Sequence, residues 1–483
     1  MKVRIKRISE DDVKTKEKIS YALTNTGQTM IYALFTVYLM LYMTDYLNIE
    51  AGIVGIILFI ARIFDAVNDP IMGQILDKTN TKWGKCRPYM LFTPIPIALI
   101  TLLMFAPFEF SVSGAIVYAT IVYIIFTMIY TANDIPYWSM SSVITSQPHV
   151  RAKIVTMTRI IGGIGSALTI GAFWTVNKFA AEAGANKRLS FFIAVSLFVI
   201  VGVILMMQGF FNTKERAKNT GKGEKLFDNL KLVPKSKPLV INLIAGVLVS
   251  ITAVGTSAMT TYFVKWNIKE IFPNMVSNDI MSIFTPIIGV LPAIATVAGL
   301  LAVPKLIRKF EKRDLLIVSS ILGVIANILA YFAGYSNIYV FIVFRFIAFL
   351  PMGIWSGITT IMIGDSVDDI EYRTGKRVEG TCFSLLTFIG KFQNGANVAI
   401  TGLLLSAVGY VGSLDPNTQQ QSPETLKVIF IMVTLVSALG FLLTAIPFLF
   451  YDFDKAKHRF ILNEIKERNL LLDNNISEVE ESK

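Results

Sequence analysis

Two carboxylates one helical turn apart inside an apolar run are the residues with the clearest chemical potential. Asp65, Asn68 and Asp69 are spaced three and four positions apart between Ala61 and Pro70, so an α-helix would present all three on one face. A charged group at the centre of a membrane helix costs roughly 2.5 to 3.5 kcal/mol. Two such carboxylates repel each other unless one is protonated or an oxygen-seeking cation lies between them. The spacing therefore predicts a Na+ or H+ site.

Arg62, in the same apolar run, offers an alternative. It could pair with one of the two aspartates as a buried structural salt bridge. Such a bridge would compensate one carboxylate and leave the other without a counter-charge, so the cation site is the favoured interpretation.

A second pair of residues, Asp134 and Trp138, stands four positions apart in a later apolar run and so shares a helix face. An aspartate beside a flat aromatic ring suits a sugar, because the carboxylate accepts hydroxyl protons and the pyranose ring stacks on the indole. Arg159, in the next apolar run, could donate a fork of hydrogen bonds to the sugar. The alternative pairs Asp134 with Arg159 and puts Trp138 in the interfacial belt, and both interpretations are compatible.

Two basic residues lie inside apolar runs of the second half of the chain. Lys391 could be a mobile donor that links cation occupancy to the sugar site, or a counter-ion to Asp65 or Asp69 without substrate contact. Arg345 could bind a carboxylate such as that of a uronic acid glycoside. A snorkelling or helix-pairing arginine is the favoured interpretation of Arg345.

These residues need membrane-spanning helices to position them, and the composition of the chain indicates such helices. The 483 residues are 53% hydrophobic and 16% charged, with a mean hydropathy of +0.58, which is more apolar than a water-soluble core can hide. The formal net charge of +11 lies mainly in short loops facing anionic lipid, so no nucleic-acid partner is implied. Cys86, Cys382 and the two histidines have no metal-ligand or catalytic spacing, so an enzyme is not expected.

Apolar stretches of about 20 residues recur along the chain and predict an all-α membrane protein of twelve transmembrane helices. The predicted helices cover 20–46, 51–76, 88–107, 114–146, 152–178, 189–211, 237–264, 277–303, 314–334, 338–363, 380–410 and 425–450. The predicted domains are a cytosolic segment 1–19, a six-helix bundle 20–211, a cytosolic linker 212–236, a second six-helix bundle 237–450 and a cytosolic tail 451–483. Two such bundles around a midplane site are the major facilitator arrangement.

The loops that follow even-numbered helices are basic and carry Lys78, Lys82, Lys85, Arg87, Arg151, Lys153, Lys305, Arg308, Lys309, Lys312, Arg313, Arg373, Lys376 and Arg377. The positive-inside rule makes these loops cytosolic and predicts a multi-pass protein of the plasma membrane with both termini in the cytosol. Lys265 and Lys269, which the prediction places in the loop after the seventh helix, weaken this pattern without reversing it.

Three segments of the chain resemble the glycoside-pentoside-hexuronide:cation symporter family, the melibiose permease-like branch of the major facilitator superfamily. They run from Arg62 to Pro88, from Asp134 to Ser139 and from Gly364 to Gly380. The resemblance implies symport of a glycoside, pentoside or hexuronide with Na+ or H+, or with Li+ as a further candidate. It implies no cofactor, membrane lipid as the surroundings, and a transporter that functions as a monomer by alternating access.

Matched residue by residue, the resemblance implies a cation site of Asp65, Asn68, Asp69 and Thr131. It also implies sugar contacts at Asp134, Trp138 and Arg159, with Lys391 near both sites. Thr131 enters only through the resemblance, because the residues alone would leave it an ordinary helix threonine.

Two departures from the family pattern bear on the substrate. Gln28 and Thr29 stand where galactoside-transporting members have a Lys-Asp pair that helps to bind the sugar. Both can form hydrogen bonds, so they are predicted substrate contacts while the kind of sugar stays open. In the third segment Asp369 and Ile370 replace the usual Tyr and Gly, and the sequence gives no interpretation of this change.

Two other functions stay open on the sequence. The same fold could carry an amphiphile such as a lysolipid, because related transporters keep the cation residues and handle lipid. A sugar sensor that binds without transport would need a signalling domain, and the residues after Phe453 form only a short charged amphipathic stretch.

Overall fold

The apolar runs fold as helices because a backbone inside lipid has no water to bond and must satisfy its own amide groups. The computed structural model of the chain describes residues 13–145, 148–216, 231–254, 258–376 and 378–481. Within these residues, the β pairing is an isolated bridge between Thr81 and Gly84. The predicted all-α class is confirmed.

The first half of the chain contains the α-helices Thr15–Ala33, Leu39–Asp45, Ala51–Lys78, Arg87–Phe92, Pro94–Met104, Val112–Ile144, Pro148–Glu182 and Lys187–Asn212. The second half contains Lys237–Leu248, Ser250–Ala253, Ala258–Phe263, Lys269–Ile271, Ser277–Lys309, Lys312–Ala333, Ile338–Thr374, Glu379–Ala407, Pro423–Ile431, Ser437–Leu449 and Lys455–Glu481. Three π-helical turns, Leu34–Tyr38, Val264–Ile268 and Met432–Val436, continue the helices that flank them.

Each of the twelve predicted helices coincides with a helical segment of the described residues, with ends that differ by several positions. Among those residues, nine helices are long and apolar enough to cross a membrane, and Pro94–Met104 is a shorter apolar helix. The chain is therefore a multi-pass membrane protein.

The prediction that Lys265 and Lys269 lie in a loop is wrong. Both belong to the helical segment that ends at Ile271, and both are 6% exposed. A lysine can stay buried when its amine is paired, and the Nζ of Lys269 donates to the Pro273 carbonyl oxygen at 2.8 Å. The prediction failed because charge alone was taken to end the seventh helix.

The contacts of the chain divide it into two compact units. The first holds Met1–Gly221, Ser257–Val290 and Val398–Ile429, and the second holds Lys222–Thr256, Leu291–Asn397 and Phe430–Lys483. Two segments from the second half of the chain thus belong to the first unit. The division into bundles 20–211 and 237–450 stays a prediction, and linker residues 217–230 lie outside the described residues.

The first helix of the chain packs closely on two later helices of the first half. A Cβ atom on Gly27 would lie 2.2 Å from the Gly202 carbonyl oxygen, and one on Gly162 would lie 2.0 Å from Oδ1 of Asn25. Glycine is therefore needed at position 27, where the neighbour is backbone, whereas at position 162 the Asn25 side chain would have to move; small residues are usual where membrane helices approach closely. This packing fixes helix Thr15–Ala33 against helices Pro148–Glu182 and Lys187–Asn212.

A carboxylate clamp holds the loop between the second and third predicted helices. Glu215 accepts hydrogen bonds from the backbone amides of Lys85, Cys86 and Arg87 at 2.9, 2.7 and 3.1 Å. The next residue, Arg216, donates to both oxygens of buried Glu17 at 2.7 and 2.8 Å. The end of the first half is therefore tied both to this loop and to the first helix.

Because Cys86 is buried beside the Glu215 carboxylate, we expect its thiol to be unreactive. Burial, with the Glu215 carboxylate nearby, raises the pKa of the Cys86 thiol to about 12. The thiolate is the reactive form, so at pH 7.5 maleimide labelling should be about a thousandfold slower than for an ordinary cysteine, and should rise about tenfold per pH unit above that. The measurement is labelling of purified Cys382→Ser protein, in which Cys86 is the remaining cysteine. Glu215→Gln should label several-fold faster, whereas labelling of the parent at a free-cysteine rate would contradict the burial.

The tail after Phe453 forms a helix, Lys455–Glu481, that docks on the second unit. Its His458 lies 3.0 Å, Nε2 to Oδ2, from Asp368 of helix Ile338–Thr374. Arg468 donates to the Tyr372 carbonyl oxygen of the same helix at 3.2 Å. The predicted amphipathic stretch is thus part of the packed structure of that unit.

Candidate functional site

The residues of the proposed cation site lie where helices Ala51–Lys78 and Val112–Ile144 pack in the first unit. Asp65 is 6% exposed and Thr131 is 2% exposed. The Thr131 hydroxyl donates to Oδ1 of Asp65 at 2.7 Å. Asn68 and Asp69 are half-buried, one turn further along the helix of Asp65. Carboxylate, amide and hydroxyl oxygens are the ligands that a hard cation takes in proteins.

Arg62 provides a second contact to the same carboxylate. Its Nη1 lies 3.8 Å from Oδ2 of Asp65, and both side chains are buried. The guanidinium also lies over the rings of Tyr32 and Tyr123, at 5.3 and 6.0 Å from their centroids. Arg62, the alternative structural partner, thus does contact Oδ2 of Asp65. The Thr131 hydroxyl bonds the other carboxylate oxygen, Oδ1. A salt bridge and a cation site at Asp65 are therefore compatible.

The two tyrosines that hold Arg62 come from helices distant in the sequence. Tyr32 stacks on Tyr130 with a centroid distance of 5.3 Å, and the Phe126 ring lies 5.4 Å from the Tyr130 ring. The sequence did not predict these aromatic rings around Arg62, because the rings belong to separate helices. The only signal was the unusual number of aromatic residues, 34 Phe and 17 Tyr in the chain.

Asp134, the predicted sugar carboxylate, is held by the first helix. Nε2 of Gln28 donates to Oδ1 of Asp134 at 2.8 Å, and Nδ2 of Asn25 donates to Oε1 of Gln28 at 3.2 Å. Gln28 is 1% exposed, whereas Asp134 is half-buried. Gln28, which departs from the family pattern, is therefore a fixed neutral donor to the carboxylate that is predicted to contact the sugar.

Thr29 has a backbone partner in this structure. Its hydroxyl lies 2.6 Å from the Gly162 carbonyl oxygen and 3.0 Å from that of Thr26. A hydroxyl has one proton, so Thr29 is left with acceptor capacity for a substrate. Its predicted substrate contact stays a prediction.

Trp138 and Arg159 lie near each other on neighbouring helices. The Arg159 guanidinium carbon is 5.8 Å from the centroid of the Trp138 ring, within the range of a cation–π contact. Trp138 is half-buried and Arg159 is exposed. Below them, the rings of Tyr21 and Tyr137 stack at 4.6 Å, and each hydroxyl donates to the other's backbone carbonyl. This double link fixes the turn that carries Trp138.

The basic residues of the second half belong to the second unit. Lys391 is half-buried in helix Glu379–Ala407. Arg345 is 2% exposed and donates to Oδ1 of Asn327 at 3.2 Å and to the carbonyl oxygen of Val433. Its guanidinium carbon also lies 4.5 Å from the centroid of the Phe349 ring. Arg345 therefore pairs helices through these contacts, and the uronide-binding alternative stays a prediction.

The structure also explains one of the family departures. Asp369 is fully buried, and its Oδ1 accepts from Nε of Arg373, one turn later, at 2.9 Å. An i,i+4 pair of this kind links the aspartate to its own helix. The side chain of Ile370, which the usual glycine lacks, is buried in the core of the second unit with Leu239 and Ile363.

Comparison with known proteins fits this arrangement. Residues 20–455, nearly the whole chain, match the model of a protein family described as MFS/sugar transport protein. The chain belongs to this family. The predicted major facilitator fold is thereby confirmed, and MFS/sugar transport proteins are transporters and not enzymes.

Two curated relatives are similar to this MFS/sugar transport protein over most of their length. The isoprimeverose transporter of Lactiplantibacillus pentosus is 28% identical over 457 residues, which cover 94% of this chain and 92% of that protein. The inner membrane symporter YicJ of Escherichia coli K12 is 28% identical over 435 residues, covering 89% and 90%. The predicted membership of the glycoside-pentoside-hexuronide:cation symporter family is confirmed.

Among solved structures, the nucleoside transporter NupG is similar, with a TM-score of 0.65. Its sequence is 15% identical, and the match covers 90% of this chain and all of that chain. Such a likeness shows the fold alone.

Proposed function

We propose that this protein is a secondary active transporter that carries a glycoside, pentoside or hexuronide together with Na+ or H+ by alternating access. The observation that supports the proposal best is the helical turn from Thr131 to Asp134. At one end of this turn the Thr131 hydroxyl contacts Asp65, and at the other end Asp134 accepts from Gln28. The proposed cation ligand Thr131 and the proposed sugar ligand Asp134 lie three positions apart, a rise of about 4.5 Å.

This short connection gives a physical route for coupling. A cation bound among Asp65, Asn68, Asp69 and Thr131 would neutralise two carboxylates that otherwise repel. It would also fix the Thr131 side chain and, through the same turn, the orientation of Asp134. The sugar then binds more tightly, and by linkage the sugar tightens cation binding by the same factor.

The sugar side of the proposal uses Asp134 as the hydroxyl acceptor, Trp138 as the stacking surface and Arg159 as a donor. Gln28 and Thr29 complete this side from the first helix, and Lys391 is the remaining substrate contact of the proposal. The name of the relative that transports isoprimeverose supports a glycoside as the substrate. The same proposal places the protein in the plasma membrane as a monomer, with both termini in the cytosol and lipid around it.

The experiment is uptake of a panel of labelled glycosides, pentosides and hexuronides into membrane vesicles that contain the protein. Each is measured with an inward Na+ gradient, with a pH gradient and with neither. We expect one sugar class to accumulate and one ion gradient to drive it at least about tenfold above the level without a gradient. Movement of a labelled lysolipid, with no accumulation of any sugar, would replace the proposed substrate by an amphiphile. Sugar binding without uptake would make the protein a sensor.

A further inference from the structure

An aspartate, a lysine and a tyrosine meet in a buried cluster far from the candidate site along the first helix. Asp45 ends helix Leu39–Asp45, Lys265 lies in the π turn Val264–Ile268, and Tyr410 follows helix Glu379–Ala407. All three belong to the first unit, and no part of the proposed sugar or cation site uses them. The segment 15–45 is helical throughout and about 45 Å long, so Asp45 lies at the membrane face opposite Thr15.

Both oxygens of Asp45 are bound. Lys265 forms an ion pair with Oδ2, and the side chains of the two residues are 8% and 0% exposed. The Tyr410 hydroxyl lies 3.0 Å from Oδ1 and 3.1 Å from Oδ2. The Thr44 hydroxyl donates to Oδ1 at 2.6 Å. A carboxylate with this many donors, in a dry setting, is held strongly.

A second layer of contacts fixes the donors. Nε1 of Trp266 donates to the Tyr410 hydroxyl at 3.0 Å, and the ammonium of Lys265 lies 4.9 Å from the centroid of the Trp266 ring. The Tyr262 hydroxyl lies 2.9 Å from that of Thr44. The cluster thus links the first helix to two segments from the second half of the chain.

The backbone around the cluster is also unusual. A π turn, Val264–Ile268, contains Lys265 and Trp266, and another, Leu34–Tyr38, precedes Asp45 in the first helix. A π turn inserts one residue and changes the direction of the side chains that follow, and such turns are common at functional sites. Two helices that meet at one ion pair each carry this feature.

A polar cavity lies on one side of the cluster. A 440 Å³ cavity is lined by Lys265 and by polar residues that include Lys187, Asn278, Asp415 and Asn417. Lys265 therefore stands between this polar cavity and the buried carboxylate of Asp45.

We propose that Asp45, Lys265 and Tyr410 form a gate that closes the path of the substrate at the membrane face opposite Thr15. The proposal rests on the transport function proposed above. Burying an ion pair costs desolvation that its attraction and hydrogen bonds offset, and water would compensate the same groups if the helices part. The cluster is therefore suited to a gate with two states. The ion pair and its hydrogen bonds stabilise the closed state, and hydration of the same charged groups stabilises the open state.

A reporter cysteine can detect the gate without any substrate. Thr36 lies between the candidate site and Asp45, in the π turn Leu34–Tyr38, and it is half-buried, as are Thr29 and Tyr32. Thr36→Cys in a Cys86→Ser, Cys382→Ser background is labelled in whole cells with a membrane-impermeant maleimide. We expect slow labelling, and about tenfold faster labelling when Asp45→Asn is added, because the open form becomes more populated.

Further variants keep the test decisive. Tyr410→Phe removes the hydroxyl that contacts both oxygens of Asp45 and should also speed labelling, which covers the case in which Asp45→Asn does not fold. The charge swap Asp45→Lys with Lys265→Asp should return labelling toward the parent rate. Glu109→Gln is the matched control, because Glu109 pairs with Arg188 at 3.1 Å with a side chain that is 90% exposed.

Equal labelling rates in the parent, Asp45→Asn and Tyr410→Phe proteins would overturn the gate, whatever the solute. If the rates change as expected but no sugar is accumulated, the gate stands and the proposed substrate is wrong. The labelling and uptake experiments therefore fail separately.

Discussion

Asp65→Asn is expected to abolish ion-driven accumulation of sugar while downhill exchange of sugar continues. The change keeps the shape of the side chain and a hydrogen bond for Thr131, which donates to Oδ1 at 2.7 Å in the parent. It removes the charge that a coupling cation needs. Loss of one partner of a buried charged pair costs about 3 kcal/mol, which corresponds to a fall of about a hundredfold in ion affinity.

The measurement is the ratio of internal to external labelled sugar in vesicles, with and without the driving ion gradient. Asp279→Asn is the matched control, because Asp279 is a carboxylate whose side chain is 34% exposed and pairs with Lys178 at 2.7 Å outside the candidate site. Its accumulation ratio should stay at the parent level. Unchanged accumulation in Asp65→Asn would remove the cation role of that residue.

Arg62 supplies the test that separates a cation site from a structural salt bridge. Asp65→Asn leaves the buried Arg62 guanidinium without the carboxylate that lies 3.8 Å away, so some loss of stability is expected from this cause alone. Adding Arg62→Gln removes that unpaired charge. If the double variant regains ion-driven accumulation, the bridge was the role of Asp65. If it regains only stability and downhill exchange, the cation role holds.

The sequence predicted what depends on local spacing. Asp65 and Asp69 share a face, and Asp134 and Trp138 share another, because the helix repeat fixes which neighbours are adjacent. The positions of the twelve predicted helices follow from the length that a lipid bilayer requires. These features need no knowledge of which helices touch.

Contacts between distant residues could not be predicted from spacing. Gln28 and Asp134 are 106 positions apart, and Asp45 and Lys265 are 220 positions apart. Both contacts depend on how helices pack, and the second also depends on π turns that apolar periodicity does not indicate. One signal could have found it: residues of opposite charge, Asp45 and Lys265, stand late in the first apolar run of each half, within Met43 to Tyr46 and Phe263 to Trp266.

Changes at Gln28 and Asp134 are expected to damage sugar transport to different extents. Asp134→Asn removes the charged acceptor and should lower the efficiency of sugar uptake about a hundredfold, because a hydrogen bond to a charged group is worth about 1.5 to 3 kcal/mol. Gln28→Leu keeps the carboxylate but removes the donor that holds it at 2.8 Å. It should act mainly through orientation, with a loss of about tenfold that appears in the apparent KM for sugar.

Measuring both sugar uptake and ion binding in each variant distinguishes a side chain that contacts the sugar from one with a structural role. Initial uptake rates over a range of sugar concentrations give the apparent KM, and the half-saturating concentration of the driving ion is measured in the absence of sugar. Asp134→Asn should leave ion binding within about twofold of the parent, since Asp65 and Thr131 are unchanged. The matched control is Asp279→Asn, the same chemical change at a carboxylate that pairs with Lys178 at 2.7 Å.

Gln28 also bears on which sugar is carried. In the galactoside-transporting members a Lys-Asp pair stands at positions 28 and 29, whereas here a neutral amide, 1% exposed, holds Asp134. An ammonium at position 28 would compete with the sugar for the same carboxylate, and an aspartate at position 29 would face the Gly162 carbonyl oxygen that Thr29 bonds at 2.6 Å. The double change Gln28→Lys with Thr29→Asp should therefore weaken uptake of the native sugar without creating galactoside uptake. Efficient galactoside uptake by that variant would show that these two positions alone set the specificity, and that the packing of the first helix does not.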